Sequence, residues 1–311
     1  MADTWLVADL GGTNTRVALA GPEGLVEESA ERVANAGFEG LAPLLAAYLA
    51  RHAPGPISAL CAGVAGPVRG GTAQLTNHAW FIDGAELAAL TGAGAVHLLN
   101  DLQAQGYALD DLPQGAARPL LFGQSASEGA ARLVLNLGTG CNVAAVHRIS
   151  GRLFVPAAES GHSALPHASG EMAALFDHLR DAHPHLPVEA VLSGPGLARL
   201  HAFLTGTERT PAQIVAEAET GGARASLALF SRVLGAVAGN IALHHLPMGG
   251  LYLSGGLSPA LAPHLDKILF EKEFSARGPY TEIVRAIPVS VLDDPFLGLR
   301  GCARYLRQYL P

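Results

Sequence analysis

Cysteine is scarce: the 311 residues hold three, Cys61, Cys141 and Cys302, far apart and without a C-x-x-C pair. That supports neither a disulfide framework nor a thiolate zinc site, and points to free thiols in a reducing compartment. Charge is sparse too, at 15% of residues with a formal net charge of −7. No basic stripe is present to neutralise nucleic-acid phosphates or dock on anionic lipid. A membrane helix needs about 20 uninterrupted apolar residues. The longest candidate, from Ser226 to about Leu246, is broken by Arg232, Asn240, His244 and His245 and reads as a buried core helix. Met1-Ala2-Asp3-Thr4 lacks the basic region of a secretory signal, so the expected location is cytoplasmic. His183-Pro184-His185 and His244-His245 suggest a metal at first sight. Proline breaks the helical i,i+4 geometry and adjacent helical histidines face different ways, so both read as structural or surface groups.

What is present is a soluble α/β pattern, 49% hydrophobic and long enough for one large core or two smaller ones. Strands are expected at 4–10, 15–20, 59–64, 96–100, 133–137, 143–147, 250–254 and 287–292. Helices are expected at 40–52, 101–109, 169–182, 188–192, 196–204, 211–218, 223–246 and 296–310. This alternation implies sheets that are largely parallel except for the opening hairpins. No low-complexity linker separates the halves, although Gln103 to Gln114 changes from helix to the turn-rich Asp110-Asp111-Leu112-Pro113.

Asp9-Leu10-Gly11-Gly12-Thr13-Asn14-Thr15-Arg16 lies between the apolar runs Trp5–Ala8 and Val17–Ala20. Two strands joined by glycines that permit positive φ form a hairpin, and its tip offers N–H groups and hydroxyls that can hold phosphate. An acid before the glycines adds a metal-facing carboxylate. Leu133 to Gly140, followed by Val143–Val146, has a similar build; Gly255-Gly256 follows the strand-like Leu251–Ser254, and Ser193-Gly194-Pro195-Gly196 interrupts an otherwise helical region. In this order the turns resemble the duplicated nucleotide-binding fold of sugar kinases, actin and heat-shock chaperones. Thr76-Asn77-His78-Ala79-Trp80, Leu99-Asn100-Asp101, Glu159-Ser160-Gly161-His162, the run Glu189 to Leu197, and Ser254-Gly255-Gly256 narrow the match. From its first strand to its last helix the chain resembles bacterial glucokinases.

The resemblance implies a two-lobed duplicated ribonuclease-H-like (actin-like ATPase) α/β fold with an interdomain cleft. Its small domain would comprise residues 1–106 and 297–311 and its large domain 107–296, with the last helix crossing back onto the first domain. It also implies Mg-ATP-dependent phosphorylation of D-glucose at the 6-hydroxyl, by a homodimer. Other readings are a kinase of another hexose or amino sugar, one using ADP or polyphosphate, and a sugar-sensing regulator on the same fold. Such a regulator needs a DNA-binding domain, commonly an N-terminal helix-turn-helix, whereas strand-like residues begin here by residue 4. A related branch carries a zinc-binding cysteine cluster after its Glu-x-Gly-His element. Only Cys302 follows His162, which groups the chain with zinc-free glucokinases.

By position alone Asp101 serves equally as a helix N-cap and as a group at the sheet edge where α/β folds bind ligands. The resemblance assigns it the catalytic proton-acceptor role and assigns sugar binding to Asn77, Asn100, Asp101, Glu159, His162 and Glu189. Taken singly, the two glutamates read as solvated acids and His162 as a core histidine. On the nucleotide side Gly11, Gly12, Thr13, Asn14, Gly138, Thr139 and Gly140 would cradle phosphates. Asp9 would face magnesium through water, and Gly194, Pro195, Gly255 and Gly256 would line the adenosine pocket. Arg16 either meets phosphate or pairs with an acid across the hairpin. Asn142 stands where the second turn usually continues with glycine, a place where asparagine's tolerance of left-handed backbone would preserve the turn. Ala158 and Ser160 stand where such glucokinases often carry glycine.

Overall fold

A computed structural model describes residues 3–76 and 78–310. Asn77, an expected sugar contact, lies outside the described residues. In chain order the strands are β1 (Trp5–Leu10), β2 (Asn14–Gly21), β3 (Gly24–Ala34), β4 (Ala59–Val64), β5 (Val68–Arg69), β6 (Thr72–Gln74), β7 (Phe81–Asp83), β8 (Ala95–Asn100), β9 (Ala117–Leu121), β10 (Arg132–Leu137), β11 (Cys141–Ile149), β12 (Arg152–Phe154), β13 (Leu251–Ser254) and β14 (Val289–Leu292). Two compact units share them. One runs through Pro113 and adds Gly151–Ala157 and the chain from Asp294; the other comprises Gln114–Ser150 and Ala158–Asp293.

In the first unit the main sheet is ordered β3-β2-β1-β4-β8. Strands β1, β4 and β8 are parallel, and β2 and β3 fold back antiparallel. Continuous apolar runs suit central parallel strands, which are covered on both faces. Leu6, Ala8, Leu10, Leu60 and Ala62 pack with Leu44, Leu45 and Tyr48 of the helix Leu41–His52. The opposite face carries the helices Asp101–Tyr107 and Leu297–Tyr309, which meet at glycine: a Cβ on Gly301 would lie 1.6 Å from the Ala104 carbonyl oxygen. Arg304 pairs with Asp110 at 3.3 Å, Arg307 with Asp111, and Gln308 hydrogen-bonds both the N–H and the carbonyl of Leu153. These contacts draw residues 107–113 and 151–157 into the first unit, whereas the expected division ended that unit at 106 and put 151–157 in the larger domain.

The second unit repeats the pattern. Strand β10 is antiparallel to β11 and parallel to β13, β13 is parallel to β14, and β9 closes the edge antiparallel. Its core is built on the helix Gly221–His245, whose Leu227, Phe230, Val233, Leu234 and Val237 are buried. Among the described residues this is the one helix long and apolar enough to cross a membrane. Its apolar window is 72% buried within the protein, which makes it a core helix.

Local expectations fail at short elements and at the polar strand β3. Strand β3, β5 to β7, β9, β12 and the helices Gly84–Thr91, Leu257–Leu261, Lys267–Ser275 and Thr281–Arg285 were not expected from periodicity. The helix expected at 188–192 is a 3₁₀ turn, Val188–Ala190, and Ser193–Gly196 does not interrupt a helix but opens the helix Gly194–Thr205.

Candidate active site

In the first unit the carboxyl ends of β1, β4 and β8 bring Asp9, the Gly11–Asn14 turn, Gly66, Asn100 and Asp101 to one sheet edge. The turn closes through the Gly11 N–H, which donates to the Asn14 carbonyl at 3.0 Å. Gly11 therefore shapes the loop rather than offering its own N–H to a ligand. It has no positive φ, contrary to the sequence argument; space is its constraint, since a Cβ would sit 3.3 Å from the Asn14 oxygen. Sequence reasoning missed Asn35. Its buried amide donates to the Gly11 carbonyl at 2.9 Å and accepts from the Thr15 hydroxyl at 2.8 Å, while its N–H donates to the Thr13 carbonyl. No local pattern around Asn35-Ala36-Gly37 marks that role.

Asp9 is mostly buried, with 17% of its side chain exposed, and lies 3.7 Å from Arg16, its cross-strand partner. Burial pushes its carboxyl above the usual range, and the Arg16 guanidinium partly opposes the shift. Gly298 makes this burial possible: a Cβ there would fall 2.5 Å from the Asp9 carboxyl carbon. A mostly buried carboxylate with one distant counter-charge suits a cation. Among the described residues no group of three or more His, Cys, Asp or Glu could hold a metal alone. A hard divalent ion there would complete its shell with phosphate oxygens and water, as magnesium prefers.

Asp101 is not the N-cap of its helix. Asn100 is the N-cap: its Oδ1 accepts from the Leu102 N–H at 3.0 Å, Gln103 reciprocates on the Asn100 N–H at 3.1 Å, and its amide donates to the Gly66 carbonyl at 3.3 Å. Asp101 is the first helical residue, and its Oδ1 also accepts from Leu102 N–H at 2.9 Å.

The second unit builds a comparable edge. The Gly138 N–H donates to the Gly140 carbonyl at 2.9 Å, and the Gly138 carbonyl accepts from the Gly194 N–H at 2.8 Å. The phosphate-type turn is thereby tied to the start of the helix Gly194–Thr205, whose N-cap Ser193 accepts from Gly196 N–H. Neither Gly138 nor Gly140 has positive φ. Gly140 is small because a Cβ would lie 3.0 Å from a Glu189 carboxylate oxygen, and Gly255 because its φ is +84° and a Cβ would lie 2.4 Å from the Leu137 carbonyl oxygen. Gly256 meets no such crowding.

Three of the expected sugar-binding residues converge there. His162 Nδ1 lies 3.7 Å from Glu189, and Glu159 begins the 3₁₀ turn Ser160–His162. Glu189 is held by its backbone: Ser193 donates to its carbonyl at 2.7 Å, and Arg199 donates twice to the next carbonyl, Ala190, at 3.0 and 3.1 Å. The glycine of Glu-x-Gly-His has a physical reason, since a Cβ on Gly161 would stand 1.6 Å from the Cys141 carbonyl oxygen. Asn142 does not adopt left-handed backbone; it extends β11, and its side chain bridges to the loop carrying Glu159. Beside Gly194, whose Cβ position lies 3.5 Å from Pro211, a cavity of about 440 Å³ is lined by Ala198, Arg199, Ala202, Thr210, Pro211 and Gln213.

A model of the family described as Glucokinase matches residues 6–309. A glucokinase of Xanthomonas euvesicatoria pv. vesicatoria is 32% identical over 96% of this chain and 94% of its own length. The solved glucokinase of an Antarctic psychrotroph is 30% identical, with a TM-score of 0.87 over 98% of this chain and 99% of that one. A glucokinase of the ROK family from Streptomyces griseus, solved with glucose and AMPPNP, shares the fold at 20% identity, with a TM-score of 0.66 and 98% and 99% coverage. Extent and identity together place the chain in the glucokinase family.

Proposed function

We propose that the protein transfers the γ-phosphoryl group of Mg-ATP to the 6-hydroxyl of D-glucose. The observation that carries the reading is Asp101, the first residue of the helix that Asn100 caps, set on the same sheet edge as the Gly11–Asn14 turn. Phosphoryl transfer needs aligned reactants, compensation of charge and a destination for the hydroxyl proton. A carboxylate with a reference pKa near 4 does not deprotonate an alcohol in the ground state. In a loose transition state the proton leaves late, so Asp101 orients the hydroxyl and collects the proton as charge develops. The bond from Leu102 N–H fixes its carboxylate while it does so.

Glu159, His162 and Glu189 read the remaining sugar hydroxyls, because carboxylates accept from vicinal hydroxyls and imidazole donates or accepts. The Streptomyces griseus relative, holding both glucose and AMPPNP, supports the pairing of sugar and adenine nucleotide. Thr13, Asn14 and Thr139 bind phosphate, the cavity beside Gly194 takes adenosine, and Pro195, Gly255 and Gly256 serve the same adenosine site. Magnesium, held by Asp9 through water, would offset phosphate charge. Asn100 contributes by fixing the helix start.

The deciding experiment is a coupled ADP-release assay against a panel of hexoses and phosphoryl donors, with Asp101→Asn alongside. Glucose with ATP should give the highest kcat/KM. The variant should lose about 10²–10⁴-fold in rate, the usual worth of a positioned proton acceptor, while glucose affinity stays within about tenfold. Full activity in Asp101→Asn refutes the assignment.

A further inference from the structure

Asn142, one of the residues that stand where the resemblance leads one to expect glycine, hydrogen-bonds the loop that carries Glu159. Asn142 Nδ2 donates to the Ala158 carbonyl at 2.6 Å and to Glu159 Oε2 at 3.2 Å, while its Oδ1 accepts from the Ser160 N–H at 2.9 Å and from its neighbour Val143 N–H at 2.8 Å. One side chain therefore ties three consecutive loop residues to the end of β11. The adjacent Cys141 carbonyl supports the same loop by its close approach to Gly161. A glycine at 142 would leave the Ala158 carbonyl and Ser160 N–H without this partner and free the Glu159 carboxylate to rotate.

We infer that Asn142 is a positioning residue for sugar recognition, orienting the Glu159 carboxylate through its side-chain amide. The inference rests on Glu159 being a sugar reader. With Oε2 engaged by the amide, the other carboxylate oxygen faces its ligand in one orientation, and the entropy of arranging it is spent on folding rather than on binding. Asn142 touches no substrate itself. Its effect belongs to glucose affinity and to discrimination among sugars differing at the hydroxyl Glu159 reads, not to nucleotide affinity or to the chemical step.

The test is steady-state kinetics of Asn142→Asp, Asn142→Gly and Glu159→Ala, with KM measured separately for glucose and ATP. Asn142→Asp is isosteric and keeps the acceptor for Ser160 N–H, but sets one carboxylate against another. It should raise the glucose KM by about tenfold or more, the worth of a charge-assisted hydrogen bond lost with its acceptor left facing an anion, while the ATP KM stays within twofold and kcat within threefold. Asn142→Gly should raise the glucose KM about three- to fivefold and narrow the preference for glucose over its epimers. If Glu159→Ala is impaired in glucose affinity and both Asn142 variants are not, this inference falls while the sugar site stands. Should Glu159→Ala bind glucose normally, the sugar-site reading falls and the inference with it. Equal losses for glucose and ATP in Asn142→Asp would reduce Asn142 to a structural support and overturn the inference.

Discussion

Replacing Gly161 by alanine tests whether the sugar loop is held by contact with β11. Its Cβ would lie 1.6 Å from the Cys141 oxygen and 2.7 Å from the Cys141 carbonyl carbon, where ordinary contact begins near 3.4 Å. Loop or strand must retreat by nearly 2 Å, about the difference between those distances. Strand β11 is paired with β10 from Cys141 to Val146, so the 3₁₀ turn Ser160–His162 is the side that yields. That moves Glu159 and His162 together. A misplacement of about 1 Å costs on the order of 10²-fold in activity, so kcat/KM for glucose should fall by at least that factor. Overpacking should cost about 1–3 kcal/mol of stability, a melting-point loss of several degrees. Calorimetric glucose titration, the ADP-release assay and thermal melting measure the three effects. Gly37→Ala is the control, since a Cβ there meets nothing within 4 Å and its φ is ordinary. Glucose affinity within twofold of the parent, at an unchanged melting temperature, would refute the reasoning.

The raised Asp9 carboxyl couples stability to function. Because its folded pKa exceeds the ordinary 3.8, the ionised acid costs stability at neutral pH, and the cost is relieved as pH falls through the folded pKa toward that value. Asp9→Asn should therefore melt higher than the parent at pH 7 while losing Mg-nucleotide affinity, which in the parent should decline as acidification protonates Asp9; a lower melting point contradicts the burial argument. Glu159→Ala should weaken glucose binding by about 1–3 kcal/mol with little change for nucleotide, and calorimetry showing the reverse would move Glu159 to the nucleotide side. All three cysteines are free and buried. Burial chiefly, with the Glu189 charge, pushes the Cys141 thiol up to about 12, while Cys302 is raised by its hydrogen bond to Cys61. An aromatic disulfide reagent at pH 8 should find no fast-reacting thiol in the native protein and three after denaturation, so a burst in the native state would count against this packing.

The central strands were legible because burial on both faces writes itself as unbroken apolar sequence, as in Ala59–Val64, whose every residue is buried. Strand β3 was not legible, since Glu27, Glu28, Glu31 and Arg32 give it a polar surface and its pairing follows from the turn that leads out of β2. At the site, residue types were legible and reasons were not. The glycines at 11, 138 and 140 were expected to serve backbone angle or phosphate approach, and the glycine at 161 stood only as part of a motif. Gly11 and Gly138 are crowded by Asn14 and Asn136, close by in sequence, whereas Gly140 and Gly161 are crowded by Glu189 and Cys141, partners far along the chain that no local pattern shows. Asn35 and Gly298 carry no local signal for the same reason. Asn142 was visible as a departure, but its explanation lies 16 to 18 positions away, in residues 158 to 160.

The helix Leu297–Tyr309 lies against the first strand across most of the chain: the Cys302 thiol reaches the Ala8 carbonyl over 294 positions of sequence. On the ribosome, the acid of β1 emerges long before the glycine face that covers it. At about 5–20 residues per second, nearly 300 residues take roughly 15–60 s. Through that interval Asp9 lacks the Gly298 backbone that packs against its carboxyl group in the folded protein. The acid of β1 is thus among the first residues of the protein to be translated and among the last to be buried.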